Sequence, residues 1–332
     1  MFDTFEAQEA WLRKLALAVA AVTLLAAPAV STPSWAAELM PLKLGVLKLG
    51  ATANVWAATR NGIFKKHGLD VTIVEVPLST QAVSVLQSKS VDIMLQIPGT
   101  MMVAKERGFD IALVGQNETA GTTAPVSNAI LVPINSPIKT IADLKGKRVA
   151  TASPRGQSFA AMKDLFEKNG INAKDVQMME VPFSSQADLL KSGNVDAVTS
   201  LDPYTTQILQ AGYGRPLSWY MLETVPDQPV GSWWTTRPWA LEHKELIKAF
   251  QAAVKESHDL FNADVEGSKK LVAEYSGLKL DLVQQMPPIS WKSTIDTKVW
   301  QDFLDMMTRQ GELTKSHKAS EYFEFIDSSI LK

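Results

Sequence analysis

The chain carries one short segment twice. Residues 74–82 read VEVPLSTQA and residues 179–187 read MEVPFSSQA, so six of nine positions are identical at a separation of 105 residues. The similarity extends outward in both directions to two longer units, 44–108 and 147–212. A duplicated unit of this length constrains the fold strongly, because it predicts two structurally similar halves.

Each unit has the pattern of alternating strands and helices. The runs PLKLGVL and GKRVATA predict first strands, VTIVEVP and VQMMEVP second strands ended by proline, and VDIML and VDAVT third strands. Four apolar residues at helical spacing predict a helix that Gly170 ends: Phe159, Met162, Leu165 and Phe166. The order β-α-β-α-β, occurring twice, predicts an α/β fold with two parallel sheets whose ligand-binding loops lie at one edge.

The N-terminus has the composition of a targeting segment. Arg13 and Lys14 precede an apolar run, and small residues at Ser34 and Ala36 flank Trp35. This pattern predicts a secretory signal peptide, residues 1–36, removed after Ala36 to leave an exported, periplasmic protein. A membrane anchor is disfavoured because the run is shorter than the ~20 residues of a spanning helix.

Composition excludes several classes of function. The chain has 33 Lys and Arg against 35 Asp and Glu, and this balance favours neither nucleic acid nor anionic lipid as a partner. The absence of cysteine excludes disulfides, a thiolate zinc site and a cysteine nucleophile. None of the four histidines falls in a predicted binding loop, and no P-loop, HExxH or nucleophile elbow occurs. We therefore expect no enzyme activity, no metal and no cofactor.

Four segments carry a resemblance to a known family: ATRNGIFKKHGLDVTIVEV, LQSKSVDIML, SPIKTIADLKGKRVA and LKSGNVDAVTSLDPY. They resemble the nitrate/sulfonate/taurine-binding family of ABC-transporter periplasmic solute-binding proteins. The resemblance implies a type-II periplasmic-binding-protein fold, in which two βαβαβ lobes joined by a hinge close around one small molecule. It also implies an ABC permease and its ATPase as partners, and we expect a monomer. Hinge crossings near 129–137 and 229–238 would give lobe 1 as 38–132 plus residues from about 238 to 332, and lobe 2 as 133–237.

The loops after the strands hold the candidate ligand-binding residues. Backbone N–H groups at helix N-termini favour an anion there. The candidate amides and hydroxyls in these loops are Thr52, Asn54, Gln81, Thr100 and Asn117 in lobe 1, and Gln157 and Ser158 in lobe 2. A hydroxyl in such a position can equally cap its helix, as the sequence predicts for Ser79 and Ser184.

Charged and aromatic residues add four further candidates. Arg155, the one cation in these loops of lobe 2, can bind a carboxylate or sulfonate bidentately, or can be an exposed loop residue. Asp202, a position that lies at the cleft in the resembling family, can bind a ligand ammonium or can cap the helix begun by Pro203. Tyr204 follows this pair, and Trp233 lies in the expected hinge, where its ring would form a floor of the cleft.

The combined prediction is capture of a small organic anion, sulfonate- or taurine-like or an aromatic carboxylate, for delivery to an ABC importer. Arg155 with Asp202 would suit a zwitterion such as an amino-sulfonate. Two alternatives remain: a ligand sensor for a membrane receptor, and a thiamine-pyrimidine-type binding protein or enzyme on the same fold.

Overall fold

A computed structural model describes residues 38–76, 81–152 and 154–332. The predicted signal peptide, residues 1–36, lies outside the described residues, as does the predicted N-cap Ser79. Residues Leu39–Lys332 form one compact unit. Among the described residues, no helix combines the length and apolar composition needed to cross a membrane.

The first sheet has six strands in the order β11-β4-β10-β3-β1-β2. Their bounds are β1 Met40–Val46, β2 Leu69–Glu75, β3 Ile93–Gln96, β4 Ile111–Thr119, β10 Pro229–Thr236 and β11 Ser290–Trp291. Strand β1 pairs in parallel with β2 and β3, whereas β10 runs antiparallel to β3 and β4. Strands β1, β3 and β4 therefore point the same way.

The second sheet has five strands in the order β7-β6-β8-β5-β9. Their bounds are β5 Ala129–Pro133, β6 Arg148–Thr151, β7 Gln177–Glu180, β8 Ala197–Ser200 and β9 Gly214–Ser218. Strand β6 pairs in parallel with β7 and β8, as β1 does with β2 and β3. The predicted duplication and the α/β fold class are thus confirmed.

Helices cover both sheets. Those near the first sheet are α1 Ala53–Arg60, α2 Ile63–Lys66, α3 Ala82–Gln87, α4 Pro98–Glu106, α9 Arg237–Glu242, α10 Lys244–Ala263, α11 Val265–Ser276, α12 Leu280–Gln285 and α13 Thr297–Arg309. The remaining four are α5 Gln157–Lys168, α6 Phe183–Lys191, α7 Tyr204–Gln210 and α8 Tyr220–Thr224. The predicted N-cap Ser184 instead lies inside α6, whose N-cap residue is Pro182.

The two crossings between the sheets lie earlier than expected. Strand β5, in the predicted first crossing, pairs within the second sheet, and β10, in the predicted second crossing, pairs within the first. We therefore place the crossings at 120–128 and 219–228. The sequence did not show this because the apolar runs of β5 and β10 give no sign of which sheet they join.

The core is formed by apolar side chains that alternate between the two faces of each sheet along these strands. Trp233 and Trp234 are adjacent in β10 and both are fully buried, on opposite faces of the first sheet. Trp233 packs edge-to-face on Phe250 of α10 at 5.3 Å between ring centroids. Trp234 packs toward Tyr322 and donates its indole N–H to Ser232 Oγ at 2.7 Å. Aromatic packing on both faces holds β10 rigidly at the end of the second crossing.

Candidate functional site

The candidate site lies where the parallel strands of both sheets end. In lobe 1, the carboxyl ends of β1, β3 and β4 share one edge, and the chain continues there into the 3-10 turn Gly50–Thr52, α1 and α4. In lobe 2, the carboxyl ends of β6, β7 and β8 lead into α5, α6 and α7. Open α/β sheets bind ligands at this edge.

Gln157 joins the two lobes at this edge. Its Oε1 accepts a hydrogen bond from the backbone N–H of Gly99, in the first turn of α4, at 3.3 Å. Its Nε2 donates to the backbone oxygen of Pro229, at the start of β10, at 2.6 Å. The side chain is 4% exposed. The side chain of this predicted ligand residue therefore connects the first turn of α5 to the first turn of α4 and to the start of β10.

Three predicted ligand residues of lobe 1 form a buried network. The Thr52 hydroxyl donates to Leu49 O at 2.8 Å, and Asn54 Nδ2 donates to Asn117 Oδ1 at 3.0 Å. Asn117 Nδ2 in turn donates to Ala51 O at 3.0 Å. All three predicted residues are fully buried. Their side chains fix the loop that begins α1, and a ligand would meet the backbone of this loop rather than these amides.

His258 of α10 lies beneath the same network. Its Nε2 is 3.3 Å from Asn117 Oδ1, and burial lowers the pKa of the ring to about 3. The ring is therefore neutral at neutral pH. In the described part of the chain, His258 Nδ1 and Asn54 Oδ1 are buried without a hydrogen-bond partner.

Four predicted ligand residues are exposed: Gln81, Thr100, Arg155 and Ser158. They lie at the starts of α3 and α4 in lobe 1 and of α5 in lobe 2, so both lobes present polar side chains at this edge. Tyr204, at the start of α7, is partly buried and stacks on Phe183 of α6 with ring centroids 6.0 Å apart.

The crossing segments contact the candidate residue Asp202 of lobe 2. Tyr220 is buried in the second crossing, at the start of α8. Burial raises the pKa of Tyr220, so the hydroxyl stays protonated. Asp202 donates its backbone N–H to Ser127 Oγ at 3.0 Å. Movement of the first crossing therefore reaches the start of α7 through Ser127.

Asp202 acts as a helix cap in this structure. Its Oδ1 accepts hydrogen bonds from Thr206 N at 3.0 Å and from Thr206 Oγ1 at 2.6 Å. Burial raises the pKa of the carboxyl group, and the bonds from Thr206 oppose that shift. Oδ2 is buried and has no hydrogen-bond partner among the described residues. Helix capping therefore explains the hydrogen bonds of Oδ1 and leaves Oδ2 without an assigned role.

Trp233 lies in the lobe 1 core rather than at the expected floor of the cleft. Its indole ring is fully buried on the α10 face, with Cδ1 against Gly115 of the neighbouring strand. The expectation rested on its place in the hinge, but alternation along β10 directs this side chain into the sheet face.

Glu118, which the sequence did not single out as a site residue, lies at the carboxyl end of β4. It pairs with Gly231 of β10 and Trp291 of β11. Burial raises the pKa of its carboxyl group to about 7. Among the described residues, none donates a hydrogen bond to this carboxylate or forms an ion pair with it. The sequence did contain one sign of this position, because Glu118 comes three residues after the apolar run IALVG and can belong to the same strand.

Apolar residues border the same edge. Leu49, after β1, is 52% exposed, and Ile97, between β3 and α4, is 43% exposed. At the corresponding strand ends of lobe 2 lies the stacked pair Phe183 and Tyr204, both partly buried. Exposed apolar side chains next to helix N-termini suit a ligand with an apolar body and a polar end.

A C-terminal segment, residues 312–314, links the end of α4 in lobe 1 to the start of α5 in lobe 2. Glu312 Oε2 accepts the backbone N–H of Gly156, before α5, at 2.8 Å, and Glu312 Oε1 pairs with Lys163 Nζ at 3.1 Å. Glu106, at the end of α4, accepts the backbone N–H of Thr314 at 2.9 Å. This segment supports the loop that carries Arg155. Within the described ranges, no group of three His, Cys, Asp or Glu is placed to hold a metal ion.

Two sheets of this topology, joined by two crossings and meeting at their ligand-binding edges, define the type-II periplasmic-binding-protein fold. A family model described as NMT1/THI5 like matches residues 51–265, and the chain belongs to this family. The resemblance to nitrate- and sulfonate-binding periplasmic proteins is thereby confirmed.

Three known proteins illustrate the likeness. The chain is 29% identical over 258 residues, 76% of this chain and 78% of the relative, to a putative aliphatic sulfonates-binding protein of Escherichia coli. It is 27% identical over 166 residues, 50% of this chain and 51% of the relative, to a putative thiamine biosynthesis protein of Haemophilus influenzae. The crystal structure of the periplasmic aliphatic sulphonate binding protein SsuA from Escherichia coli superposes with a TM-score of 0.72 at 24% identity, covering 87% of this chain and 99% of that one.

Proposed function

We propose that this protein is an exported solute-binding protein that captures a small organic anion between its lobes. It then delivers the anion to an ABC permease driven by its ATPase. The observation that carries the proposal is the meeting of the first turns of α4 and α5, from different lobes, through Gly99 and Gln157. Helix N-termini converging from two sheets favour an anion between them.

The anion class follows from the surroundings of that junction. Arg155 is exposed in the loop before α5, and a guanidinium matches the oxygens of a sulfonate or carboxylate. Ser158, Thr100 and Gln81 add hydroxyl and amide groups at neighbouring helix starts. A sulfonate, taurine-like or aromatic carboxylate ligand fits this set, and the sulfonate-binding relative supports it.

The mechanism is closure of the two lobes around the ligand, which stabilises the closed arrangement. The crossings at 120–128 and 219–228 connect the lobes, and Ser127 of the first crossing accepts the backbone N–H of Asp202 before α7. A ligand that contacts both lobes favours the closed arrangement by its differential affinity for it. Binding involves no bond-breaking step, so we propose no enzyme activity. We also propose periplasmic location and a monomer.

A thermal-shift screen of residues 37–332, purified free of ligand, tests this proposal. The panel contains taurine, alkanesulfonates, arylsulfonates, nitrate, benzoate and pyrimidines. A ligand at 100 times its dissociation constant adds ~2.7 kcal/mol to the free energy of unfolding. Stabilisation by sulfonates or carboxylates supports the proposal. Stabilisation by pyrimidines alone would favour the thiamine-pyrimidine alternative, for which the thiamine-biosynthesis relative is the supporting observation.

A further inference from the structure

The C-terminal helix α13 contacts both lobes. It begins against the first sheet, where Trp300 donates its indole N–H to Gln116 Oε1 of β4 at 2.8 Å. It ends against α5 of lobe 2, where the guanidinium of Arg309 pairs with Asp164. The buried side of α13 lies in a hydrophobic cluster that also contains Trp234 of β10 and the buried side of α5. The core is therefore continuous from one lobe to the other through α13.

Polar contacts hold the end of α13 on α5. The side chain of Asp164 in α5 is only 2% exposed, and it pairs with Arg309 and, at 2.9 Å, with Lys168. Burial disfavours the charged carboxylate, but the hydrogen bonds from Arg309 and Lys168 outweigh burial and lower its pKa. On the same helix, Glu167 Oε2 accepts a hydrogen bond from Gln310 Nε2 at 2.9 Å. Because removing the cation would leave a buried carboxylate with less compensation, this contact is costly to break.

The chain returns to lobe 1 after α13. Glu312 Oε1 first pairs with Lys163 Nζ of α5 at 3.1 Å. Two residues later, the backbone N–H of Thr314 donates to Glu106 Oε2, at the end of α4, at 2.9 Å. Residues 297–314 thus form a brace that contacts lobe 1, lobe 2 and lobe 1 again in chain order.

We propose that the brace is a third connection between the lobes and that its polar contacts with α5 limit how far the lobes open. The crossings at 120–128 and 219–228 can bend when lobe 2 rotates. The brace must instead break its contacts with α5 or move with that helix. These contacts favour the closed side of the equilibrium between arrangements, so Arg309 and Asp164 act as positioning residues that set the angle between the lobes. This inference adds a control of opening to the proposed function and does not depend on which ligand binds.

Distances between two spin labels test the inference without any ligand. The chain contains no cysteine, so Gln87→Cys and Lys191→Cys provide the only labelling sites. These two exposed residues end α3 and α6 and hold equivalent positions in the two repeat units, so their separation reports the angle between the lobes. Pulsed electron paramagnetic resonance then compares the labelled parent protein with Arg309→Ala, Arg309→Lys and Arg237→Ala. Arg237 pairs with Glu324 inside lobe 1 at 2.8 Å and provides the matched control.

We expect one narrow distance distribution for the parent protein. In Arg309→Ala the population at longer distances should rise roughly 10-fold, as for the loss of one charge-assisted hydrogen bond. Arg309→Lys keeps a cation and should show a smaller rise, and Arg237→Ala should match the parent. Identical distributions in the parent and in Arg309→Ala, with folding verified by circular dichroism, would overturn the inference. A broad distribution in the parent protein itself would also overturn it.

If Arg309→Ala does not fold, Lys163→Ala decides the matter from the α5 side. This change removes the pair with Glu312 and the hydrogen bond to the backbone oxygen of Gln310. Longer distances in Lys163→Ala would support the brace, and the parent distribution would overturn it. Because no ligand is added, either result is independent of whether the cleft binds an organic anion, which the thermal-shift screen tests separately.

Discussion

Gly99 and Gln157 belong to different lobes, and the backbone N–H of Gly99 donates a hydrogen bond to Gln157 Oε1 at 3.3 Å. The same side chain donates to Pro229 O, where the second crossing enters β10. One buried amide thus connects α4, α5 and a crossing segment. Its groups remain satisfied only while the lobes stay in this arrangement.

Replacing Gln157 should cost stability. In Gln157→Ala, the N–H of Gly99 and the oxygen of Pro229 lose their partner in a buried place, so the free energy of unfolding should fall by about 2 kcal/mol. Urea unfolding followed by tryptophan fluorescence measures this change. The control is Gln177→Ala, an exposed glutamine at the start of β7, which should change stability by less than about 0.5 kcal/mol. Equal effects in the two variants would contradict a joining role for Gln157.

Arg155 should contribute to the binding of an organic anion. Arg155→Ala removes a guanidinium from the loop before α5, and we expect sulfonate affinity to fall roughly 10- to 100-fold, as for a charge-assisted hydrogen bond. Calorimetric titration measures the dissociation constants. Arg107→Ala, an exposed arginine at the opposite end of α4, is the control and should bind normally. Unchanged affinity in Arg155→Ala would remove Arg155 from the site.

The ligand-free protein should become less stable as pH rises toward neutrality because of Glu118. Burial raises the pKa of this carboxyl group from 4.5 to about 7 in the folded chain. Between these values the folded state keeps a proton that the unfolded chain has released, so this group's contribution to stability decreases as pH increases. Melting temperatures of the native protein and Glu118→Gln, measured from pH 5 to pH 8, should diverge in slope. Parallel curves would show that Glu118 titrates normally.

The C-terminal segment should support ligand affinity without contacting the ligand. Glu312→Ala removes the acceptor of the Gly156 N–H and the partner of Lys163, so the loop that carries Arg155 loses its anchor. We expect about fivefold weaker sulfonate binding, equivalent to about 1 kcal/mol of added ordering cost, and a lower melting temperature. Glu274→Ala breaks an exposed pair with Arg60 and should leave both quantities nearly unchanged. Native affinity in Glu312→Ala would contradict this role.

The fold could be predicted because the repeat and the strand periodicity are local properties of the sequence. Runs such as PLKLGVL and GKRVATA form β1 and β6, and their parallel pairing follows from the helices between them. The assignment of β5 and β10 to their sheets was not predictable in this way. The sheet that each strand joins depends on long-range pairing, and the sequence of an apolar strand does not specify which strand it pairs with.

The site was predicted only at the level of its loops. The sequence placed Thr52, Asn54 and Asn117 near the carboxyl ends of strands, where the structure has them, but it could not show that these side chains bond to one another and to the backbone beneath the surface. It also could not show that β4 continues through Glu118, because polar residues at 117–119 favour a loop by composition. Burial decides which of these polar groups remain available, and burial is set by tertiary packing.

Calorimetric titration of ligand-free protein, residues 37–332, with taurine is the decisive test of anion capture between the lobes. We expect saturable binding at one site per chain, weakened roughly 10- to 100-fold by Arg155→Ala and unaffected by Arg107→Ala. Absence of saturable heat with taurine and with every other sulfonate and carboxylate of the screening panel would contradict capture of an organic anion between the lobes.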